Sequence, residues 1–481
     1  MQLKDLLNHV ETIETTGKLD IEISGVAYDS RKVKPGFVFV CIKGFQTDGH
    51  KYIPNALAQG AAAIVVQEDA LAGNAACIRV ADSRRALAII GANFYGNPAK
   101  DLKIVGVTGT NGKTTVTTLL KHVLEFSGKK VGLIGTNGNM IGGEVLPSER
   151  TTPESLELHE LFAQMRGEQV EYVVMEVSSH SLELSRVYGI KFCIGVFTNL
   201  TQDHLDFHGT MENYLNAKKK LFEQSALGII NVDDERGHSI VETVPCETVT
   251  YSIDNESDFR AENLKISSRG VIFDVVTKTV TTPVRLGIPG RFSVYNALAA
   301  IAACNALGIT KENTVNGLLL AKGVKGRAET VYTKTDYTVI IDYAHTPDGL
   351  ENIIETVREF AEGRVITLFG CGGDRDRSKR SVMGEIAGKL SDFCIITSDN
   401  PRTEDPMQII LQIEEGMKKT GCAYTVIENR REAIRFALEN AHAGDCIILA
   451  GKGHETYQII GTEKRHFDER EVVQELLAKQ A

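Results

Sequence analysis

The chain has no tryptophan, so tyrosine dominates its near-UV absorbance. No apolar run reaches about 18 residues, which excludes a membrane-spanning helix. The nine cysteines are scattered, with no Cys-x-x-Cys pair. An odd count without metal spacing predicts reduced thiols in a cytoplasm. There is no long basic run, and the formal net charge is −10. That argues against nucleic acid as the main partner but leaves room for a single nucleotide. The start, Met1-Gln-Leu-Lys-Asp-Leu-Leu7, carries acid and base and lacks a signal-peptide core. Low-complexity tracts and short-period repeats are also missing. What remains is an ordinary globular composition, 42% apolar and 24% charged over 481 residues. That length predicts about three domains.

One segment stands out. Leu102-Lys-Ile-Val-Gly-Val-Thr108 is a short apolar run, and Gly109-Thr-Asn-Gly-Lys-Thr-Thr115 follows it directly. A strand entering a glycine-rich turn and then a helix aims several backbone N–H groups at one spot. Those groups and the helix N-terminus are electropositive and otherwise unpaired, so the spot binds phosphate. Lys113 is placed for the outer phosphates and the Thr114 hydroxyl for a magnesium ion. Leu119, Leu120, Val123 and Leu124 recur at helical spacing behind it. The strict phosphate-loop pattern has glycine five residues before the Gly-Lys pair; here Val107 stands there and Gly106 comes one step early.

Three blocks follow from the pattern of runs and turns. Residues 1–98 hold short strand-like runs, Gly36-Phe-Val-Phe-Val-Cys-Ile42 and Ala61-Ala-Ala-Ile-Val-Val66, and close at the turn-rich Tyr95-Gly-Asn-Pro98. Residues 99–328 hold the glycine loop and the runs Tyr172–Met175, Ile194–Phe197 and Gly228–Asn231. From residue 329 to 481, Val339–Ile341, Val365–Phe369, Cys394–Thr397 and Cys446–Leu449 alternate with helix-like stretches. Continuous apolar runs between helices predict an α/β protein whose parallel sheets are covered on both faces. In such sheets ligands bind at the carboxyl ends of the strands.

Polar clusters sit at those ends. Glu176 closes the run Tyr172–Met175 and leads into Val177-Ser-Ser-His180; a carboxylate there suits Mg²⁺. Thr198-Asn-Leu-Thr-Gln-Asp-His-Leu-Asp-Phe-His208 packs two acids and two histidines into six residues. Such density marks a metal or phosphate site, against which stands a helix cap formed by Asp203. Asp342-Tyr-Ala-His345, Gly370-Cys-Gly-Gly-Asp-Arg-Asp-Arg377, Asp399-Asn-Pro-Arg402 and Gly451-Lys-Gly-His-Glu455 end further runs. A glycine turn with arginine forks suits a carboxylate or phosphate. A generic nucleotide-binding protein explains only the first of these clusters; an enzyme with several ligands explains them all.

Over essentially its full length the chain resembles the Mur ligases of bacterial cell-wall synthesis, and among them those that add the third peptide residue. The motifs that carry the resemblance are Gly109–Thr115, Thr151-Thr-Pro153, Glu176–His180, Asp203-His-Leu-Asp206, Asp342-Tyr-Ala-His-Thr-Pro-Asp348, Asp399–Arg402 and Gly451–Glu455. The resemblance implies a small N-terminal α/β domain that binds the UDP-substrate, a central P-loop parallel-sheet ATPase domain and a C-terminal Rossmann-like domain that binds the amino acid. It implies an ATP-dependent amide-forming ligase, cytoplasmic and monomeric, acting on UDP-N-acetylmuramoyl-L-alanyl-D-glutamate through an acyl-phosphate.

Residue by residue, it places Gly109, Thr110, Asn111, Gly112, Lys113, Thr114, Thr115, Asn296, Arg327, Asp342 and His345 on ATP. Thr114 and Glu176 would hold one Mg²⁺, and His204 with a carbamylated Lys218 a second. Lys218 opens a Lys-Lys-Lys run, which on its own reads as a solvated helix face. The UDP-peptide falls to Ser30, Thr151, Thr152, Ser178 and Arg186, with Gln46 and Thr47 weaker matches near the uridine. Some relatives carry glutamine where this chain has Leu184, and many carry asparagine where it has Ser293.

The third residue is meso-diaminopimelate or lysine, which differ by a distal carboxylate. Members that add diaminopimelate carry Asp-Asn-Pro-Arg, as at Asp399, Asn400, Pro401 and Arg402. Arg402 can grip a carboxylate with two parallel hydrogen bonds, while lysine would leave it unpaired. Arg375, Gly451 and Glu455 match the other contact positions for the amino acid. The alternatives are a lysine-adding ligase, a ligase like folylpolyglutamate synthase, or a nucleotide-binding regulatory protein without ligase activity. Retention of Lys113, Glu176, His204 and Lys218 together argues against the last.

Overall fold

A computed structural model describes residues 1–44, 47–146, 148 and 150–479. Three main sheets divide the chain. The first orders its strands Thr12–Thr16, Ala76–Val80, Ala63–Val66, Phe37–Val40, Gly25–Ala27. The runs read from sequence as strands are there, and Ala63–Val66 is buried on both faces.

The central sheet has eleven strands. Its middle is parallel: Lys103–Thr108 lies between Tyr172–Glu176 and Phe192–Phe197. Side chains alternate across it. Val105, Val107 and Val174 face one core with Leu119, Leu120 and Val123 of the helix Lys113–Phe126. Ile104, Val173 and Met175 face the other, with Phe162 and Phe192. Both flanks turn antiparallel, through Asn139–Ile141 and Glu144–Leu146 on one side. On the other side lie Phe259–Ser267, Gly270–Val276 and Thr281–Leu286. The parallel centre matches the runs read from sequence, and the antiparallel flanks make the sheet mixed.

The third sheet orders Glu329–Val331, Thr338–Asp342, Cys446–Ala450, Val365–Phe369, Phe393–Ile396, Ala423–Val426. All neighbours are parallel except Glu329–Val331. Ile340 and Ile448 point into one helical layer, and Val339, Ile341 and Ile447 into the other. Gly109–Thr115, Glu176–His180, Asp342–Asp348, Asp399–Arg402 and Gly451–Glu455 lie at or just beyond the carboxyl ends of parallel strands, and Thr151–Pro153 leads into the helix Ser155–Gly167. The chain turns through left-handed residues where the three blocks meet: Asn97 (φ 52°) near the first boundary, Gly326 (φ 71°) and Ala328 (φ 43°) near the second. No helix among the described residues is long and apolar enough to cross a membrane.

Candidate active site

Residues 109–112 form the turn between the strand Lys103–Thr108 and the helix Lys113–Phe126. Gly112 ends the turn in the left-handed region (φ 86°) and caps the helix without a side chain, so the first N–H groups stay free for an anion. A Cβ on Gly112 would stand 2.6 Å from Asn296 Oδ1. Glycine therefore lets the helix Arg291–Ala306 bring Asn296 onto the loop. Neighbouring strand ends brace the turn. Asn199 O accepts from Thr110 N at 2.9 Å, Asn199 Oδ1 from Asn111 N at 2.8 Å, and the Thr198 hydroxyl donates to Asn111 O at 2.6 Å. Lys113 Nζ donates to Gly109 O and Thr110 O, both at 2.8 Å, so its ammonium is held over the loop's mouth. Burial lowers its pKa, with Glu176 opposing that shift.

Glu176 is 1% exposed and ends the strand beside the loop. Its Oε2 accepts from the Thr114 hydroxyl at 3.1 Å and the Thr136 hydroxyl at 3.2 Å; Oε1 accepts from Thr136 N at 2.9 Å. The Thr136 hydroxyl also meets Thr151 Oγ1 at 3.0 Å. One carboxylate with two hydroxyls is a set of hard oxygen donors, which fits Mg²⁺. Among the described residues no group of three or more His, Cys, Asp and Glu side chains is gathered as a metal site. A metal here would draw on threonine and phosphate oxygens too.

His204 and Lys218 meet at Tyr214. The His204 ring centroid lies 6.2 Å from that of Tyr214, and Lys218 Nζ lies 4.4 Å from the Tyr214 ring. The Tyr214 hydroxyl is 3.2 Å from Thr110 Oγ1, tying the pair to the phosphate loop. His204 sits at φ 53° and starts the short helix Leu205–His208; Asp203 accepts from His204 N at 2.8 Å and does not cap the helix. Lys218 is 1% exposed, so the solvated-face reading fails. No carboxylate pairs with it among the described residues. Burial, then the charge of Lys113, drives its pKa well down, favouring a neutral amine. Burial, then His204 and His208, also push His180 down to about 4.

On the UDP-peptide side, buried Thr152 donates to Glu176 O at 2.8 Å and accepts from Ser178 N at 3.1 Å. Ser178 caps the helix Ser179–Glu183. Arg186 donates to Thr152 O at 3.0 Å and pairs with Glu154 at 2.9 Å. Ser30 stands apart in the first sheet's unit, where Asn55 Nδ2 donates to its hydroxyl at 3.1 Å. Thr47 Oγ1 is 3.1 Å from the Tyr52 hydroxyl; Gln46 lies outside the described residues. Leu184 follows the helix Ser179–Glu183, and its backbone N–H bonds to His180 O.

In the third unit, Asp342 accepts from Ala328 N at 2.7 Å and Ala344 N at 2.8 Å, and Arg327 lies over the Tyr343 ring at 5.0 Å. His345 packs on the same ring, with centroids 4.6 Å apart. Arg402 adopts φ 52°, and its Nη1 donates to Gly373 O at 2.8 Å. Its Nε and Nη2 have no protein partner among the described residues. Asp399 and Asn400 are buried beside Gly451, whose missing Cβ would stand 2.5 Å from Asp399 Oδ2. Pro401 passes the chain from Asn400 to Arg402. Glu455 accepts from Asn400 Nδ2 at 2.9 Å. Arg375 is exposed and, among the described residues, donates only to Asp374 O of its own loop.

Two residues inside the quoted motifs were passed over. Asp348 Oδ2, at the start of the helix Pro347–Arg358, accepts from Asn111 Nδ2 at 2.8 Å and the Thr201 hydroxyl at 2.9 Å. It thus ties the third unit to the phosphate loop. Lys452 is fully buried among Asn400, Glu455 and Asp399. Their motifs carried the signal, but a polar residue that binds another side chain looks the same in sequence as one that binds a ligand.

The Mur ligase middle domain matches residues 107–304, the Mur ligase glutamate ligase domain 326–453, and the Mur ligase family catalytic domain 22–95. The chain is 53% identical to the UDP-N-acetylmuramoyl-L-alanyl-D-glutamate–2,6-diaminopimelate ligase of Caldanaerobacter subterraneus subsp. tengcongensis, over 100% of this chain and 99% of that one. It is 49% identical to the protein of that name in Clostridioides difficile, over the whole of both. A solved structure of such a ligase superposes with a TM-score of 0.74 at 32% identity, covering 100% of this chain and 99% of that one.

Proposed function

The chain belongs to the Mur ligase family, and from that we propose that it is the ligase joining meso-diaminopimelate to UDP-N-acetylmuramoyl-L-alanyl-D-glutamate in peptidoglycan precursor synthesis, with ATP converted to ADP and phosphate. The observation that carries the amino-acid assignment is Arg402. Its guanidinium is steadied at Nη1 by Gly373 O, and the Nε–Nη2 edge is left for a carboxylate. That edge matches the distal carboxylate that lysine lacks.

A free carboxylate is a poor acyl donor. The substrate's glutamyl carboxylate attacks the γ-phosphorus, a P–O bond to ADP breaks, and an acyl-phosphate forms. The amino acid's amine then attacks the acyl carbon; phosphate leaves and the amine gives up a proton. The protein's part in the first step is alignment and charge neutralisation. Lys113 and the free N–H groups after Gly112 hold the outer phosphates. Thr114 and Glu176 would hold Mg²⁺, which when bound offsets phosphate charge. Asn296, Arg327, Asp342 and His345 line the nucleotide's place, and Thr151, Thr152, Ser178 and Arg186 that of the UDP-peptide. A parallel ligase assay with diaminopimelate and lysine tests the assignment; equal use of lysine would move the chain to the lysine-adding reading.

Lys218 is proposed to be carbamylated. A neutral buried amine adds to carbon dioxide, an N–C bond forms and a proton is released, so a neutral amine becomes an anion beside Lys113 and His204. Lys218→Ala should be nearly inactive, because it removes the anion proposed to hold a metal. Short carboxylic acids should restore part of it. A metal-loaded, ligand-bound crystal with a bare ammonium at Lys218 would overturn the assignment.

Ligand groups fall in all three units, so closure must bring acyl-phosphate and amine together and exclude water. Asp348 is placed to latch that state through Asn111 and Thr201. Small-angle scattering should show compaction with an ATP analogue plus UDP-peptide. Asp348→Ala should blunt it and lower kcat by about 10-fold, as expected for hydrogen bonds to a charged group. Identical profiles in every state would leave a rigid, preassembled enzyme.

A further inference from the structure

A buried cation stands behind the amino-acid loops. Lys452 has no exposed surface. Its Nζ donates to Glu455 Oε2 at 2.9 Å and to Asn400 Oδ1 at 3.1 Å, and lies 3.8 Å from Asp399 Oδ1. Asn400 Nδ2 donates to the same Glu455 Oε2 at 2.9 Å, and Ile459 N donates to Asn400 Oδ1 at 2.9 Å. The three side chains close a ring of hydrogen bonds. Reversing the Asn400 amide would set its NH₂ against an ammonium and an N–H, so the amide has one orientation. Glu455 Oε2 is taken by two donors, and Oε1 is the oxygen that neither of them engages.

The ring is anchored from below. Arg430 and Glu469, both without exposed surface, pair at 2.8 Å. Arg430 Nη2 also donates to Ala450 O at 2.8 Å, on the strand that delivers Gly451 and Lys452. Three carboxylates, Asp399, Glu455 and Glu469, thus gather around two buried cations. Without Lys452, Asp399 and Glu455 would repel each other in a site poor in water.

We infer that Lys452 is a positioning residue for amino-acid selection: its buried ammonium, with Asn400, locks Glu455 as a fixed acceptor for the distal ammonium of the incoming diamino acid. The inference rests on the reading of this site as the diaminopimelate pocket, where Arg402 takes the distal carboxylate. Lys452 itself touches no substrate. Its effect is therefore on the discrimination between diaminopimelate and 2-aminopimelate, which keeps the carboxylate and lacks the distal amine.

The test compares both substrates in the wild-type enzyme, Lys452→Met and Lys452→Gln, with Glu455→Gln and the double variant Lys452→Gln/Glu455→Gln beside them. Lys452→Met should raise the KM for diaminopimelate by about 10- to 100-fold, the scale for losing a group that orients a ligand-binding one. 2-Aminopimelate should lose less than about 3-fold, so the preference ratio collapses; Lys452→Gln, which keeps one donor, should fall between. KM for ATP, and ADP–ATP exchange driven by the UDP-peptide alone, should stay at wild-type values. The double variant should be no worse than the poorer single one, because the residues act as one unit. If Lys452→Met does not fold, Lys452→Gln carries the measurement. An unchanged ratio, or an equal loss for both substrates, overturns the role of Lys452 while the ligase assignment stands. A wild-type enzyme that does not ligate diaminopimelate overturns both.

Discussion

Lys113→Ala should cut turnover by about 10³-fold at saturating ATP and Mg²⁺, the scale for removing one preorganised charge-stabilising group from a transition state. The transferring phosphoryl group spreads negative charge over its outer oxygens, and little covalent chemistry is available to relieve it. The structure holds the Lys113 ammonium 2.8 Å from two loop carbonyls, at the mouth of a turn whose helix has no side-chain cap. Little reorganisation is then needed when the phosphates arrive. Glu176 is tied to Thr114 and Thr136, so loss of Lys113 should leave the strand end intact. The expected signature is a fall in kcat with an unchanged melting temperature. Phosphate release near the wild-type rate would show that the loop only binds nucleotide.

The parallel strands were legible because strands covered on both faces are continuous apolar runs. The strands Phe259–Ser267, Gly270–Val276 and Thr281–Leu286 were not. They bury one face only, and their mixed polar and apolar residues match no run. The burial of Lys218 was hidden for a related reason. Lys218, Lys219 and Lys220 look like one solvated patch, but successive helical residues point about 100° apart. One of the three therefore turns inward beneath Tyr214. Glu176 and Arg402 could be assigned a chemistry because strand-end geometry limits what they can do. Asp348 and Lys452 could not, since each also binds a side chain from a distant segment: Asn111 lies 237 residues from Asp348, and Asn400 lies 52 from Lys452.

Arg402→Ala should raise the KM for diaminopimelate by a factor equivalent to about 2–4 kcal/mol, the cost of leaving a charged partner without its pair in a desolvated site. ATP affinity should stay nearly unchanged, because Arg402 belongs to the third unit and, among the described residues, bonds to Gly373 O and Ile459 O rather than to the phosphate loop. Arg402→Lys should rescue poorly. An ammonium can replace the charge but cannot present two parallel donors while also reaching Gly373 O. The left-handed backbone at Arg402 (φ 52°) aims the side chain, and the hydrogen bond from its backbone N–H to Ile459 O at 3.1 Å fixes that turn. The loss should therefore come from the guanidinium and not from a displaced loop. Lysine should be a very poor substrate of the unmodified enzyme, by roughly 10⁴-fold, since it leaves the guanidinium unpaired and brings a second cation beside it. In Arg402→Ala that gap should narrow, mostly through the loss on diaminopimelate. Ligation of lysine and diaminopimelate at equal rates by the wild-type enzyme would remove the role given to Arg402, and the substrate assignment with it.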